Sequence, residues 1–164
     1  MTPFDSPGET RFDTLAEYLH AVDAALASTH TDLCIFDVDL RALDFSAKQR
    51  TEQLSRNMGQ RHGYRLRIVL HDTSHVERYC ARVTTLLTRF SHCFEIRRTP
   101  EDLRHLTECF VLADDAYGVV RFHCDHGRGK LFAGLPDEGK LWRNRFEELW
   151  DLSSPAVSAT TLGL

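Results

Sequence analysis

Apolar and polar residues follow one another in blocks along this chain, and the period of each block identifies an element. The most telling block runs from Thr107 to His123. Phe110–Leu112 is a short, wholly apolar run closed by Asp114-Asp115, the pattern of a strand covered on both faces. Tyr117-Gly118-Val119-Val120-Arg121-Phe122 follows after a turn short enough for a tight hairpin. Upstream, Thr14-x-x-Glu17 has the form of a capping box, and Leu15, Tyr18, Leu19, Val22 and Leu26 share one helical face. Leu33-Cys34-Ile35-Phe36 reads as a central strand emerging at Asp37-Val38-Asp39-Leu40.

Ser46-x-x-Gln49 opens a second helix to about Gln60 with little to bury, namely Ala47, Leu54 and Met58. Leu66–Leu70 is the next strand and ends in His71-Asp72. Ser74-x-x-Glu77 then caps a helix with the stripe Val76, Tyr79, Cys80, Val83, Leu86, Leu87 and Phe90. Cys93–Arg97 alternates like a less buried or edge strand. Pro100 and the acids Glu101-Asp102 start a short helix. A glycine-bearing loop spans His126–Lys130, and Pro136 opens a last helix with Leu141, Trp142, Phe146, Leu149 and Trp150 on one side.

Strands alternating with helices predict an α/β fold with a mixed, mostly parallel sheet flanked by helices on both faces. Residues 1–12 read as a loose arm, 13–152 as the domain and 153–164 as a tail, in which Ala156–Ala159 could add an edge strand.

Composition narrows the classes. A length of 164 residues suits one domain, and 42% hydrophobic with 27% charged content is ordinary for a globular protein. A net charge of −4 argues against a protein that coats nucleic acid. The N-terminus has neither a basic nor an apolar region of a secretion signal, and no apolar run approaches the ~18 residues of a membrane span. Five cysteines without CxxC spacing read as reduced thiols, so a cytoplasmic protein is expected.

Three groups of residues carry candidate chemistry. The second helix and the strand after it are cationic, with Lys48, Arg50, Arg56, Arg61, Arg65 and Arg67 against Glu52. A solvated face is the plain reading, and a phosphate- or nucleic-acid-facing patch the sharper one. Asp37, Asp39 and Asp72 fall at the carboxyl ends of strands, where open α/β sheets bind ligands. Asp37-x-Asp39 resembles the haloacid dehalogenase pattern, although Arg41-Ala42-Leu43 departs from the turn that family uses. His123-Cys124-Asp125-His126 gathers metal-ligand types, but its one candidate second cluster, His71-x-x-x-His75, straddles a strand end and a helix cap, so no metal is assigned. No Gly-rich phosphate loop follows the first strand, and no cofactor is expected.

The hairpin, the element order over Leu15–Trp150 and the Phe146-x-x-x-Trp150 ending together resemble one half of a phospholipase D-like protein, in particular degenerate, uncharacterised domains of this kind from proteobacteria. The resemblance puts Thr107 at the nucleophilic His of the His-x-Lys-x4-Asp motif, Cys109 at the phosphate-binding Lys and Asp114 at the Asp. Arg121-Phe122-His123-Cys124 lies where a Gly-Ser-x-Asn segment would fall. None of the nine histidines has Lys two residues later. Thr107 lacks an adjacent base, and Cys109 cannot supply a fixed positive charge. A Cys109 thiolate activated by His105 or His123 is the remaining nucleophile, and a buried inert thiol is the plainer reading.

The resemblance therefore implies a non-catalytic binding or regulatory module. Its degenerate cleft, formed by Thr107, Cys109, Asp114, Arg121, His123 and Arg104 with Lys48, Arg50 and Arg56 nearby, would take an anionic, phosphate-bearing ligand. One half alone implies a homodimer. The alternatives are a Mg-dependent phosphatase or phosphodiesterase-type hydrolase using Asp37 and Asp39, and a nucleic-acid-binding protein.

Overall fold

The computed structural model of the chain describes residues 5–157. Eight strands, β1 (Gly8–Phe12), β2 (Asp32–Asp37), β3 (Arg65–Leu70), β4 (Phe94–Arg98), β5 (Cys109–Ala113), β6 (Tyr117–Arg121), β7 (Gly129–Ala133) and β8 (Ser154–Val157), form a single sheet. Its order is β1-β7-β6-β5-β2-β3-β4-β8. Five helices accompany it: α1 (Leu15–Ser28), α2 (Lys48–Gln60), α3 (Ser74–Tyr79), α4 (Ala81–Arg89) and α5 (Pro136–Leu152).

The α/β class expected from the pattern holds, but the sheet is mostly antiparallel. Only β2–β3 and β3–β4 run parallel. The hairpin β5–β6 lies against β2 antiparallel to it, and β7 and β1 continue that side. A helix crossover enforces parallel pairing within the β2-α2-β3-α3/α4-β4 segment. The connection from β4 to β5 instead carries a single 3-10 turn, Glu101–Leu103, and crosses to the far side of β2.

Side-chain parity splits the core in two. Leu33, Ile35, Leu66, Ile68, Leu70, Val111 and Val119 pack with α1, α2 and α4 on one face. Phe36, Val69, Phe110, Val120 and Phe132 pack against Phe146, Leu149 and Trp150 of α5 on the other. Phe110 is the hub of that second core, with ring centroids 5.1 Å from Trp142, 5.4 Å from Phe36 and 6.4 Å from Phe146.

Gly8–Phe12, expected within a loose arm, is an edge strand. Phe12 buries against Tyr18 (ring centroids 5.8 Å apart) and over Gly129, where a Cβ would meet the Phe12 ring at 2.6 Å and the Val120 carbonyl at 2.0 Å. Gly129 and Lys130, read as loop, therefore belong to β7. The tail does add an edge strand, β8, antiparallel to β4; positions 158 and 159 of the expected strand lie outside the described residues.

The long helix expected after Ser74 breaks at Cys80 (φ −111, ψ 59), so that Tyr79 is exposed while Val76, Cys80 and Val83 stay buried. Ser46 does not cap α2. Its hydroxyl donates to Asp44 (2.5 Å), and Ala47 takes the cap position. Leu141 is exposed because it sits ~100° around the helix from Trp142, off the stripe that Phe146, Leu149 and Trp150 define.

Candidate functional site

Asp37, Cys109 and Arg121 end up side by side across three adjacent strands, all on the face that α1 covers. The register fixes this: Phe36 lies opposite Phe110, and Cys109 opposite Arg121. The first residue of β5 and the last of β6 thereby flank the last residue of β2. Tyr18 of α1 closes over them, its ring under the Arg121 guanidinium at 5.4 Å.

This cluster is shut. Tyr18 and Cys109 have no exposed surface, and Asp37 and Arg121 retain only 3% and 5%. The Asp37 carboxylate accepts the backbone N–H groups of Leu40 (2.7 Å) and Asp39 (3.3 Å), ending β2 in a tight turn whose Leu40 has φ 69. Burial pushes the Asp37 carboxyl up, against those two backbone bonds, the Cys109 thiol and the Arg121 charge. Burial also pushes the Cys109 thiol far up, and Asp37 adds to it. Arg121 Nε donates to the His123 carbonyl (3.2 Å), while Arg121 Nη1 and the Tyr18 hydroxyl have no hydrogen-bond partner among the described residues.

The other residues of the expected cleft do not converge there. Thr107 is half-buried, and its carbonyl accepts from Cys124 N–H (2.7 Å). Arg104 is exposed at the end of the 3-10 turn. His123 is half-exposed on the loop after β6, where its Nδ1 accepts from Asp125 N–H (3.1 Å) and its ring lies 5.2 Å from that of His126. Asp114 sits at the opposite end of the hairpin, ~16 Å along β5 from Cys109 at ~3.3 Å per residue. There its carboxylate accepts the N–H groups of His30 (3.0 Å), Thr31 (2.9 Å) and Asp32 (3.2 Å) and the Thr31 hydroxyl (2.9 Å). Its carbonyl accepts from Arg143. Asp114, with φ 56, builds this turn.

His105 is exposed, whereas Cys109 is fully buried and burial pushes its thiol up. Asp39 and Asp37 are both committed: Asp39 accepts Arg41 N–H (3.0 Å) and pairs with the Arg41 guanidinium (3.3 Å). Asp72 accepts Ser74 N–H (2.9 Å). His123, Cys124 and Asp125 do bring one ligand atom each within 4.8 Å of one another, but on a single exposed loop.

The basic helix is largely neutralised. Arg50 makes a bidentate pair with Asp23 (2.7 and 3.1 Å) and donates to the Leu43 carbonyl (2.8 Å). Lys48 pairs with Glu52 (3.5 Å), and Arg56 donates to Gln53 (3.0 Å). Arg67 points to the α5 face, buried, its guanidinium forked onto Glu147 (2.8 and 2.6 Å) and stacked over Phe146 and Trp150.

Two residues that matter were missed in the sequence. Tyr18 counted only as apolar stripe. His71 was read as a strand end, yet it is buried, with Nδ1 2.6 Å from Thr99 Oγ1 and Nε2 2.8 Å from the Leu106 carbonyl, so it ties β3 to the segment entering the hairpin. A lone histidine directly after the three apolar strand residues Ile68–Leu70 was the available signal.

Residues 14–162 match the model of a family described as Domain of unknown function (DUF7931). No curated protein matches the chain. Solved structures do. TrmBL2, an archaeal chromatin protein with a novel mode of DNA binding, is similar with TM-score 0.68 and 10% identity over 95% of this chain and 56% of that one. This chain thus spans little more than half of that protein. Nuc from Salmonella typhimurium, a phospholipase D family member, is similar with TM-score 0.62 and 10% identity over 93% of this chain and all of that one. NucT from Helicobacter pylori gives TM-score 0.63 and 7% identity over 92% and 100%. At these identities the likeness is one of fold, and the fold is phospholipase D-like.

Proposed function

The chain belongs to the DUF7931 family, a domain of unknown function, and we propose that it uses a phospholipase D-like fold to bind rather than to hydrolyse phosphodiesters. One observation carries this reading. Where the resemblance calls for a nucleophile and a phosphate-holding cation stand Thr107 and the fully buried Cys109, and Arg121, opposite Cys109 in the register, is buried with its guanidinium over the Tyr18 ring. Attack on phosphorus needs a nucleophile that the substrate can reach and a base to activate it. At this end of the hairpin Cys109 is sealed in, and no base is hydrogen-bonded to the Thr107 hydroxyl among the described residues. The cluster works instead as a plug that joins α1 to the sheet.

The test is turnover of bis(p-nitrophenyl) phosphate, with and without Mg²⁺, by the purified chain. No release above buffer is expected. Turnover that disappears in Thr107→Ala, Cys109→Ser or Asp37→Asn would overturn the reading, and dependence on Asp37 together with Mg²⁺ would favour the hydrolase using Asp37 and Asp39.

Nucleic-acid binding is the second reading, favoured by the fold shared with the archaeal chromatin protein and opposed by the net charge of −4. A steep fall of affinity with salt is its signature. The pairing of two copies expected of a single half is read by light scattering on the eluted peak.

A further inference from the structure

We infer that a cavity at the other end of the sheet is a binding site for a small phosphate-bearing molecule with an apolar body. It deepens the binding reading and rests on it, but it uses different residues. The cavity, of about 480 Å³, lies where β3 and β4 begin and opens between the loop after α2, the Ser91–Cys93 turn and the end of α5. That volume is within the ~300–1,000 Å³ usual for small-molecule sites.

Its lining is unbalanced in charge. Arg61, Arg65, Arg67 and Arg97 face it together with His92, against the single acid Glu95. Two of the arginines are already engaged. Arg97 pairs with Glu95 (2.7 Å) and donates to the Trp150 carbonyl (3.0 Å). Arg67 holds Glu147, which lies outside the lining. Burial works to lower the Arg67 pKa, and the Glu147 bonds with the Cys34 and Asp32 fields outweigh it, so the group stays charged.

What remains points to a missing acceptor. Arg67 is 97% buried by its 3% exposure, and its Nε has no hydrogen-bond partner among the described residues. Arg61 Nη1 is likewise buried and unpartnered. The exposed Arg65, two residues before Arg67 on the same strand, makes no direct salt bridge among the described residues, and its charge acts on Glu147 from a distance. Native proteins rarely leave charged donors unmet, and each such group calls for an explanation. A phosphate monoester suits Arg61 and the exposed Arg65 at the mouth, because its clustered anionic oxygens match the fork of a guanidinium and can serve several arginines at once. Met58 and Phe94, with 6% and 4% of their surface exposed, are the apolar residues that the rest of the molecule would meet. No activated nucleophile faces the cavity, whose one thiol, Cys93, is pushed up by burial, so the site binds without converting.

The experiment is titration calorimetry of the whole chain at 50 and 200 mM salt with three probes: AMP, inorganic phosphate and a single-stranded ten-residue oligothymidylate. Saturable binding of AMP is expected. Arg61→Gln and Arg65→Gln should each weaken it at least tenfold, and Arg82→Gln, exposed on α4 and outside the cavity, should leave it unchanged. Thermal melts check that the variants fold. Absence of saturable binding by AMP and by phosphate, or wild-type affinity in both cavity variants, would overturn the site. Binding of the oligonucleotide alone, with steep salt dependence, would also overturn it and hand these arginines to a nucleic-acid backbone. Free phosphate appearing in the AMP samples would sink the non-hydrolytic reading while leaving the location of the site standing.

Discussion

Removing the Tyr18 hydroxyl should make this protein more stable, although a polar group normally helps where it is found. The ring of Tyr18 is fully buried, 5.8 Å from Phe12 and beneath the Arg121 guanidinium, and Tyr18→Phe preserves both contacts. The oxygen has no hydrogen-bond partner among the described residues. Burial above all, then Asp37 and Cys109, push the phenol well above its usual range, so it is protonated at every working pH and its proton has nowhere to go. A buried hydroxyl left unmet costs about 1–3 kcal/mol. With packing unchanged, Tyr18→Phe should gain about 1–2 kcal/mol, which for a chain of this length raises Tm by roughly 3–6 °C. Urea unfolding followed by circular dichroism measures it, and an unchanged m-value shows that the two states compared are the same. Tyr18→Ala is the contrasting control, because deleting the whole ring should cost about 3–5 kcal/mol. A Tyr18→Phe protein less stable than wild type by 1 kcal/mol or more would refute the argument. In that case the hydroxyl is hydrogen-bonded in solution, and the cluster around Cys109 admits water.

Further outcomes follow from single groups. Burial foremost, then Arg104 and His105, hold His71 below its ordinary 6.5, against the Leu106 carbonyl bond and Asp37. Its contribution to stability is thus fully present above pH 6.5 and is lost as the pH falls through the lower folded value. Tm measured from pH 8 to 5 should begin to fall below 6.5, and the slope there should be shallower in His71→Gln; equal slopes would exclude His71 as the source. Asp114→Ala removes the acceptor of three backbone N–H groups at a position with φ 56 and should cost about 2–3 kcal/mol, whereas Asp114→Asn, which keeps one oxygen and tolerates that φ, should cost less than about 1. Equal losses in chemical denaturation would mean that charge, not the acceptor, holds this turn. Cys34, Cys80 and Cys109 are buried, and burial raises all three thiols, Cys34 to about 12. In the native protein, Ellman's reagent at pH 8 should therefore reach only the half-buried Cys93 and Cys124, and all five after unfolding; fast reaction at Cys109 would show that the hairpin end opens.

The sequence carried the local elements well and their assembly poorly. Period-2 and period-3.6 patterns placed β2, β3, the β5–β6 hairpin and α5 because each buries a continuous run or stripe. They are silent on strand direction, which depends on which side of β2 the hairpin joins. The sheet therefore came out mostly antiparallel around a parallel centre. β1 and β7 escaped notice because what unites them is a long-range fit, Phe12 over Gly129, and neither residue is distinctive alone. The candidate site was half legible. Cys109 and Arg121 do meet, but only the register shows that Asp37 and Tyr18 join them and seal the end of the hairpin. The cationic residues were visible as a group, whereas strand parity decides their roles. Arg50 is on a helix facing Asp23, while Arg65 and Arg67, two apart on a strand, share the face that looks into the cavity.

The outer strand β8 has a consequence for how copies of this chain can meet. Pro155, opposite Arg97 in the register, brings no N–H to the rim of the sheet, and the pairing slips beside it between Ile96 and Arg97. An incoming strand would find the ladder interrupted within its first residues, so runaway stacking of sheet on sheet, the route to fibres, is blocked on that side. The opposite rim, β1, offers Glu9 and Arg11, whose charges oppose the approach of a like strand. A proline introduced at Thr10 would separate association of copies through the β1 rim from association through faces and loops.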